Sequence, residues 1–259
     1  MHNLFIPKYV YKYTRFNDYW EDIFLHQRLY MPSPSELNDP FEGQLIAVNS
    51  GTAGNTIGLA AGKFNKDIGS LLKNYRILSL SANIRNKAMW AHYANQYCGF
   101  ALQFNTRKSF SDVERIMYRP DYETGETVYI TSKKDCEEKN LMRQALLVKS
   151  KDWENEEEFR IVDKITANEE KTRPHYYDFE QNDLEGIILG ANLDFDTASK
   201  YQVQYGDNVK KLLAYAHALN VPVYYSWTVP IKSKIEFYRE GNRPQFDGGS
   251  YMKYIEKTF

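Results

Sequence analysis

Ten consecutive residues, Trp153-Glu154-Asn155-Glu156-Glu157-Glu158-Phe159-Arg160-Ile161-Val162, form the most specific local feature of this 259-residue chain. If residues 156–162 form a strand, Glu156, Glu158 and Arg160 share one face, and Glu157, Phe159 and Ile161 the other. Same-face neighbours on a strand stand about 7 Å apart, so Glu158 has a like charge on one side and a cation on the other. Such a row is costly to bury without partners and useful where positive charge develops beside it. The plain structural reading is a solvated charged edge strand with Phe159, Ile161 and Val162 in the core.

Three further constellations have the residue types for chemistry. In Asn38-Asp39-Pro40-Phe41-Glu42, Asn38 and Asp39 can accept local backbone N–H groups and Pro40 fixes φ, so the segment reads either as a rigid turn or as a loop turned toward a ligand. Ser79-Leu80-Ser81 precedes Met89-Trp90-Ala91-His92-Tyr93-Ala94. On a helix Met89 and Tyr93 share a face, a stripe that suits a core as well as a ligand box, with His92 open to either role. Tyr11-Lys12-Tyr13 sets two phenols on one strand face, as core rings or as a platform for an aromatic ligand.

Other chemistries lack their residues. No Gly-x-Gly-x-x-Gly occurs, and residues 58–64 imitate a phosphate loop with one residue too few and Phe64 where Ser or Thr is needed. The five histidines are scattered without zinc-ligand spacing, Gly-x-Ser-x-Gly is missing, and Cys98 and Cys136 are too few for a disulfide framework. With 33 basic and 34 acidic side chains the net charge is -1, so bulk electrostatics offers nothing to nucleic acid or anionic lipid. No apolar run reaches the ~20 residues of a membrane span, and a cytoplasmic protein is expected.

The elements that must position these residues follow from periodicity and punctuation. Strands are expected at residues 9–13, 28–31, 77–81, 99–104, 113–118, 127–131, 156–162, 186–189, 221–227 and 234–238. Helices are expected at 18–27 with Asn17 as cap, about 63–74, 86–95, 133–148 and about 208–219. Residues 33–42 read as an ordered loop, and 51–62 as a lid or a surface loop. The fold class is α+β, a mixed and mostly antiparallel central sheet flanked by helices, in one domain over 1–259 whose residues 191–259 complete it.

Taken in order, Tyr-Lys-Tyr, Asn-Asp-Pro-Phe-Glu, Ser-Leu-Ser, Met-Trp-x-x-Tyr with Gly-Phe soon after, and Trp-x-x-Glu-x-Glu-x-Arg resemble a bacterial family catalogued as a domain of unknown function. The resemblance covers residues 11 to about 190. More distantly, the layout is similar to the ADP-ribosyltransferase superfamily, in particular its DNA- and RNA-modifying toxins, although the first strand has no His and the Arg-Ser-Glu order is missing. That likeness implies an ADP-ribosyltransferase-like fold and NAD as co-substrate. It implies Glu158 as the catalytic carboxylate, with Glu156 deprotonating or orienting the acceptor. Tyr11, Lys12, Tyr13, Arg15, Asn38, Asp39, Ser79, Ser81, Trp90, Tyr93 and Arg160 would then hold NAD.

The implied activity is ADP-ribosyl transfer or NAD glycohydrolysis in a toxin or antiphage effector. Its acceptor would be a protein, nucleic acid or small molecule, and an inhibitory partner could cover the site. Two alternatives stand beside it. One is a Mg²⁺-dependent nuclease using Asp39, Glu42, Glu156 and Glu158, which wants a lysine beside the carboxylates where the sequence has Phe159-Arg160. The other is a non-catalytic module binding a ligand through the 21 tyrosines.

Overall fold

The computed structural model describes residues 6–40, 47–49, 72–119, 127–129, 143, 145–165, 174–193, 200–229 and 233–241. In chain order its strands and α-helices are β1 Tyr9–Thr14, α1 Asp22–His26, β2 Arg28–Tyr30, β3 Ala47–Asn49, β4 Tyr75–Ser81, α2 Lys87–Tyr93, β5 Phe100–Asn105, β6 Glu114–Arg115 and β7 Met117–Arg119. There follow β8 Thr127–Tyr129, β9 Val148–Ser150, β10 Glu158–Lys164, β11 Tyr176–Asp178, β12 Leu184–Leu189, α3 Lys200–Ala218, β13 Val223–Val229 and β14 Lys234–Arg239. The mixed α+β class holds, and the main sheet is mostly antiparallel, with the order β14-β13-β12-β5-β1-β4-β10-β6.

The chain divides into two compact units. The first comprises Met1–Arg28, Leu80–Asp112 and Asp178–Phe259. Here β5 runs antiparallel to both β1 and β12, β12 is parallel to β13, and β13 is antiparallel to β14. Tyr11 and Tyr13, Trp90 of α2, Ile188 and Phe237 are buried in its core, where the Tyr13 and Trp90 rings meet edge to face at 5.1 Å. Asn86 caps α2 by accepting the Ala88 and Met89 N–H groups, as its residue type favours. Gly99 and Gly190 allow close backbone approach, since a Cβ would stand 2.2 Å from the Thr14 and Tyr97 carbonyl oxygens respectively.

The second unit comprises Leu29–Ser79 and Val113–Tyr177. In it β10 lies between β4 and β6, antiparallel to β6, while β7 pairs with β9 in parallel and β3 with β8 in parallel. Leu29, Met31, Ile77, Leu78, Leu146, Phe159, Ile161 and Val162 are buried.

Several elements differ from their sequence expectation. Asn17 accepts the Tyr19 N–H in a local turn, and the bonds that follow span three residues, so α1 begins at Asp22 rather than residue 18. The expected strand 113–118 divides into β6 and β7, which belong to different sheets. Residues 151–156 form a 3₁₀ turn, and Glu157 in the left-handed region redirects the chain so that β10 starts at Glu158. Val148, expected to end a helix, opens β9. The 33–42 loop contains a 3₁₀ turn, Pro34–Glu36, fastened by the Ser33 and Glu36 side chains. The suggested lid at 51–62 and Glu42 lie outside the described residues.

Candidate functional site

Glu158 is the first residue of β10, and its strand supplies its nearest cation two positions on. Arg160 Nε donates to Glu158 Oε1 at 2.7 Å and Nη2 to Oε2 at 3.0 Å, while Nη1 donates to the Leu146 carbonyl at 2.7 Å. This fork-to-carboxylate geometry is the strong, directional form of a charge-assisted bond. Period two explains the pairing, because residues two apart on a strand face the same side.

Remote elements provide the other partners. Lys149 of β9 donates from Nζ to Glu156 Oε2 at 2.5 Å and to Glu158 Oε2 at 3.0 Å. The Trp153 ring, on the 3₁₀ turn, covers that ammonium with its centroid 4.9 Å away. Ser79 of the adjacent strand β4 hydrogen-bonds the Glu158 carboxylate, and Tyr118 Oη of β7 accepts the Glu158 N–H at 2.8 Å. Glu156, Glu158, Arg160 and Lys149 are all buried, at 6%, 3%, 1% and 5% exposure. Ser79 is half-buried.

The electrostatics follow from these contacts. Burial would raise the Glu158 pKa, but Arg160 and Lys149, with hydrogen bonds from Arg160 and Ser79, hold it down to about 2. Burial would lower that of Lys149, but the Glu158 and Glu156 carboxylates raise it above its ordinary value. Burial also raises the Tyr118 phenol, and both glutamates add to this. Near neutral pH Glu158 is thus a fixed anion. With so low a pKa it is a poor proton acceptor and a good electrostatic element.

The structure brings Ser79, Glu156, Glu158 and Arg160 together in the second unit, where Asp39 is buried and Asn38 exposed. Tyr11, Tyr13, Ser81 and Trp90 are buried in the first unit, Lys12 and Tyr93 are half-buried there, and Arg15 is exposed. Tyr11 Oη accepts from Gln103 Nε2 at 3.3 Å, Tyr13 Oη donates to the Asn83 carbonyl at 2.6 Å, and Trp90 Nε1 donates to the Ile84 carbonyl at 2.7 Å. His92 is exposed.

Sequence reading missed Lys149 and Tyr118. The run Leu146-Leu147-Val148 before Lys149 was the available signal, since a short apolar run reads as a strand as well as a helix end. Lys149 also supplies the lysine a nuclease reading requires. A divalent cation at Glu158 would nevertheless meet the fixed charges of Arg160 and Lys149. Among the described residues no group of three or more His, Cys, Asp or Glu side chains is placed to hold a metal.

The DUF2971 family model matches residues 89–161. It is described as a protein of unknown function. No curated protein and no solved structure matches the chain. The DUF2971 region runs from Met89 in α2 to Ile161 in β10 and so contains Tyr118, Lys149, Trp153, Glu156, Glu158 and Arg160. Among the described residues no helix is long and apolar enough to cross a membrane.

Proposed function

We propose that this chain cleaves the nicotinamide glycosidic bond of NAD, transferring ADP-ribose to an acceptor or to water, with Glu158 as the group that stabilises the transition state. The observation that carries this reading is the state of Glu158: a buried carboxylate, held anionic and fixed in direction by the Arg160 fork and by Ser79 on the neighbouring strand. Departure of nicotinamide leaves oxocarbenium-like charge on the ribose. A preorganised anion that needs no proton at the moment of reaction favours that charge over the ground state.

Half-buried Ser79 marks the side from which a ribose hydroxyl would exchange for one of the bonds at the carboxylate. In this reading Glu156 orients the acceptor, and Arg160 orients Glu158 rather than pyrophosphate, because its three nitrogens already donate to Glu158 and to Leu146. An ADP-ribosyltransferase-like fold and a toxin or antiphage role belong to the same reading.

Incubation with NAD tests it, with nicotinamide followed by liquid chromatography. The chain is expected to release nicotinamide, and Glu158→Gln to slow release by about a hundredfold or more while keeping its far-UV circular dichroism. Mg²⁺-dependent cleavage of nucleic acid without nicotinamide release would reject the reading, as would NAD binding without turnover.

A further inference from the structure

Glu156 and Glu158 are two residues apart, and the left-handed turn at Glu157 brings both carboxylates to one ammonium. Two buried carboxylates that share a space do not both ionise unaided, because one lowers its energy by keeping a proton. Lys149 spans the pair, is itself buried, and has the Trp153 ring over it. Arg160 closes on Glu158 with two nitrogens, while Lys149 touches both acids at close range.

We propose that Lys149 is a positioning residue, whose ammonium keeps Glu156 and Glu158 charged together so that Glu158 meets substrate as an anion of constant charge and direction. Its effect on turnover rests on the NAD reading; its effect on the charge of the pair does not. Among the described residues, the groups facing the pair include Arg160 on β10, Lys149 on β9, Tyr118 on β7, Ser79 on β4 and the Trp153 ring on the 3₁₀ turn. Tyr118 and Ser79 are neutral at physiological pH, and Trp153 has no charge to give. Of these, Arg160 and Lys149 supply the compensation.

The test compares the unsubstituted chain with Lys149→Met and Lys149→Arg, following the carboxyl carbons of ¹³C-labelled glutamate by NMR across pH. Lys149→Met is expected to hold one more carboxylate proton near neutral pH than the unsubstituted chain, and Lys149→Arg to remove it. An unchanged titration in Lys149→Met, or no restoration by Lys149→Arg, overturns the assignment.

In the nicotinamide assay the acid limb of kcat/KM is expected to move toward neutral pH in Lys149→Met and to return in Lys149→Arg. A limb that stays in place overturns the assignment. If the unsubstituted chain releases no nicotinamide, the NAD reading fails by itself and the carboxyl titration still decides the role of Lys149. If Lys149→Met does not fold, Lys149→Met/Glu156→Gln removes one charge of each sign. That double variant is expected to fold and to take up no extra proton. Its failure to fold overturns the assignment, because balanced charge would then not be what Lys149 provides.

Discussion

The second unit buries a network of paired charges around Glu158, whereas the buried polar groups described in the first unit are, apart from Asp183, neutral, and the two solve the problem of lost water differently. Around Glu158, each carboxylate oxygen receives a cation, from Arg160 at Oε1 and from Arg160 and Lys149 at Oε2. In the first unit Tyr11 stands opposite Gln103 on β5 and Ser81 on β4, all buried, with one 3.3 Å hydrogen bond from Gln103 to the phenol. Gly186 on β12 leaves room for the amide, since a Cβ there would lie 2.8 Å from Gln103 Oε1. Burial raises the Tyr11 phenol to about 12, which keeps it neutral and inexpensive to hold. A buried anion needs several donors from several strands, whereas a buried phenol needs one. The dense network marks the place where the molecule keeps a charge despite its cost.

The sharpest break of that contrast is Arg160→Met, which leaves Glu158 buried without its fork. Urea unfolding at pH 7 should show a loss of about 3–5 kcal/mol, with a smaller loss when Glu158→Gln is added. A single-variant loss below about 1 kcal/mol would place the pair among the weak, solvated kind.

Acid titration gives the next effect. The Glu158 pKa falls from the usual 4.5 to about 2 on folding, so its contribution is fully present above about pH 4.5 and is lost as pH falls through about 2. The span corresponds to roughly 3 kcal/mol. Stability measured from pH 6 to 2 should therefore fall more steeply in the unsubstituted chain than in Glu158→Gln, and equal slopes would argue against a depressed carboxyl.

On the neutral side of the comparison, Tyr11→Phe should cost about 1 kcal/mol in thermal or urea unfolding, the ordinary worth of one neutral hydrogen bond. A loss as large as that of Arg160→Met would erase the distinction between the regions. The smallest effect is expected from Trp153→Leu, which removes the ring over Lys149 and should cost about 0.5–1 kcal/mol. Salt should reduce that cost little, since the ammonium is buried.

Much of the frame was legible locally. Tyr-Val-Tyr-Lys-Tyr gave β1, the alternation around residues 77–81 gave β4, and the helical reading of 86–95 gave α2. The pairing of Glu158 with Arg160 followed from period two. Where reading failed, a local feature competed with the pattern: the Asn17 turn delayed α1, and Glu157 in the left-handed region separated Glu156 from the strand it was expected to open.

By itself the sequence determined where the acidic row meets an apolar strand and which cation shares its face, because side-chain alternation depends on a few neighbouring dihedrals. It did not determine that Lys149 bridges Glu156 and Glu158, that Ser79 reaches the carboxylate from β4, or that Tyr118 accepts the Glu158 N–H from β7. Those partners lie on other strands, and their approach is set by sheet order and register. Desolvation, which turns a row of charges into a fixed anion, exists only once these strands close around it.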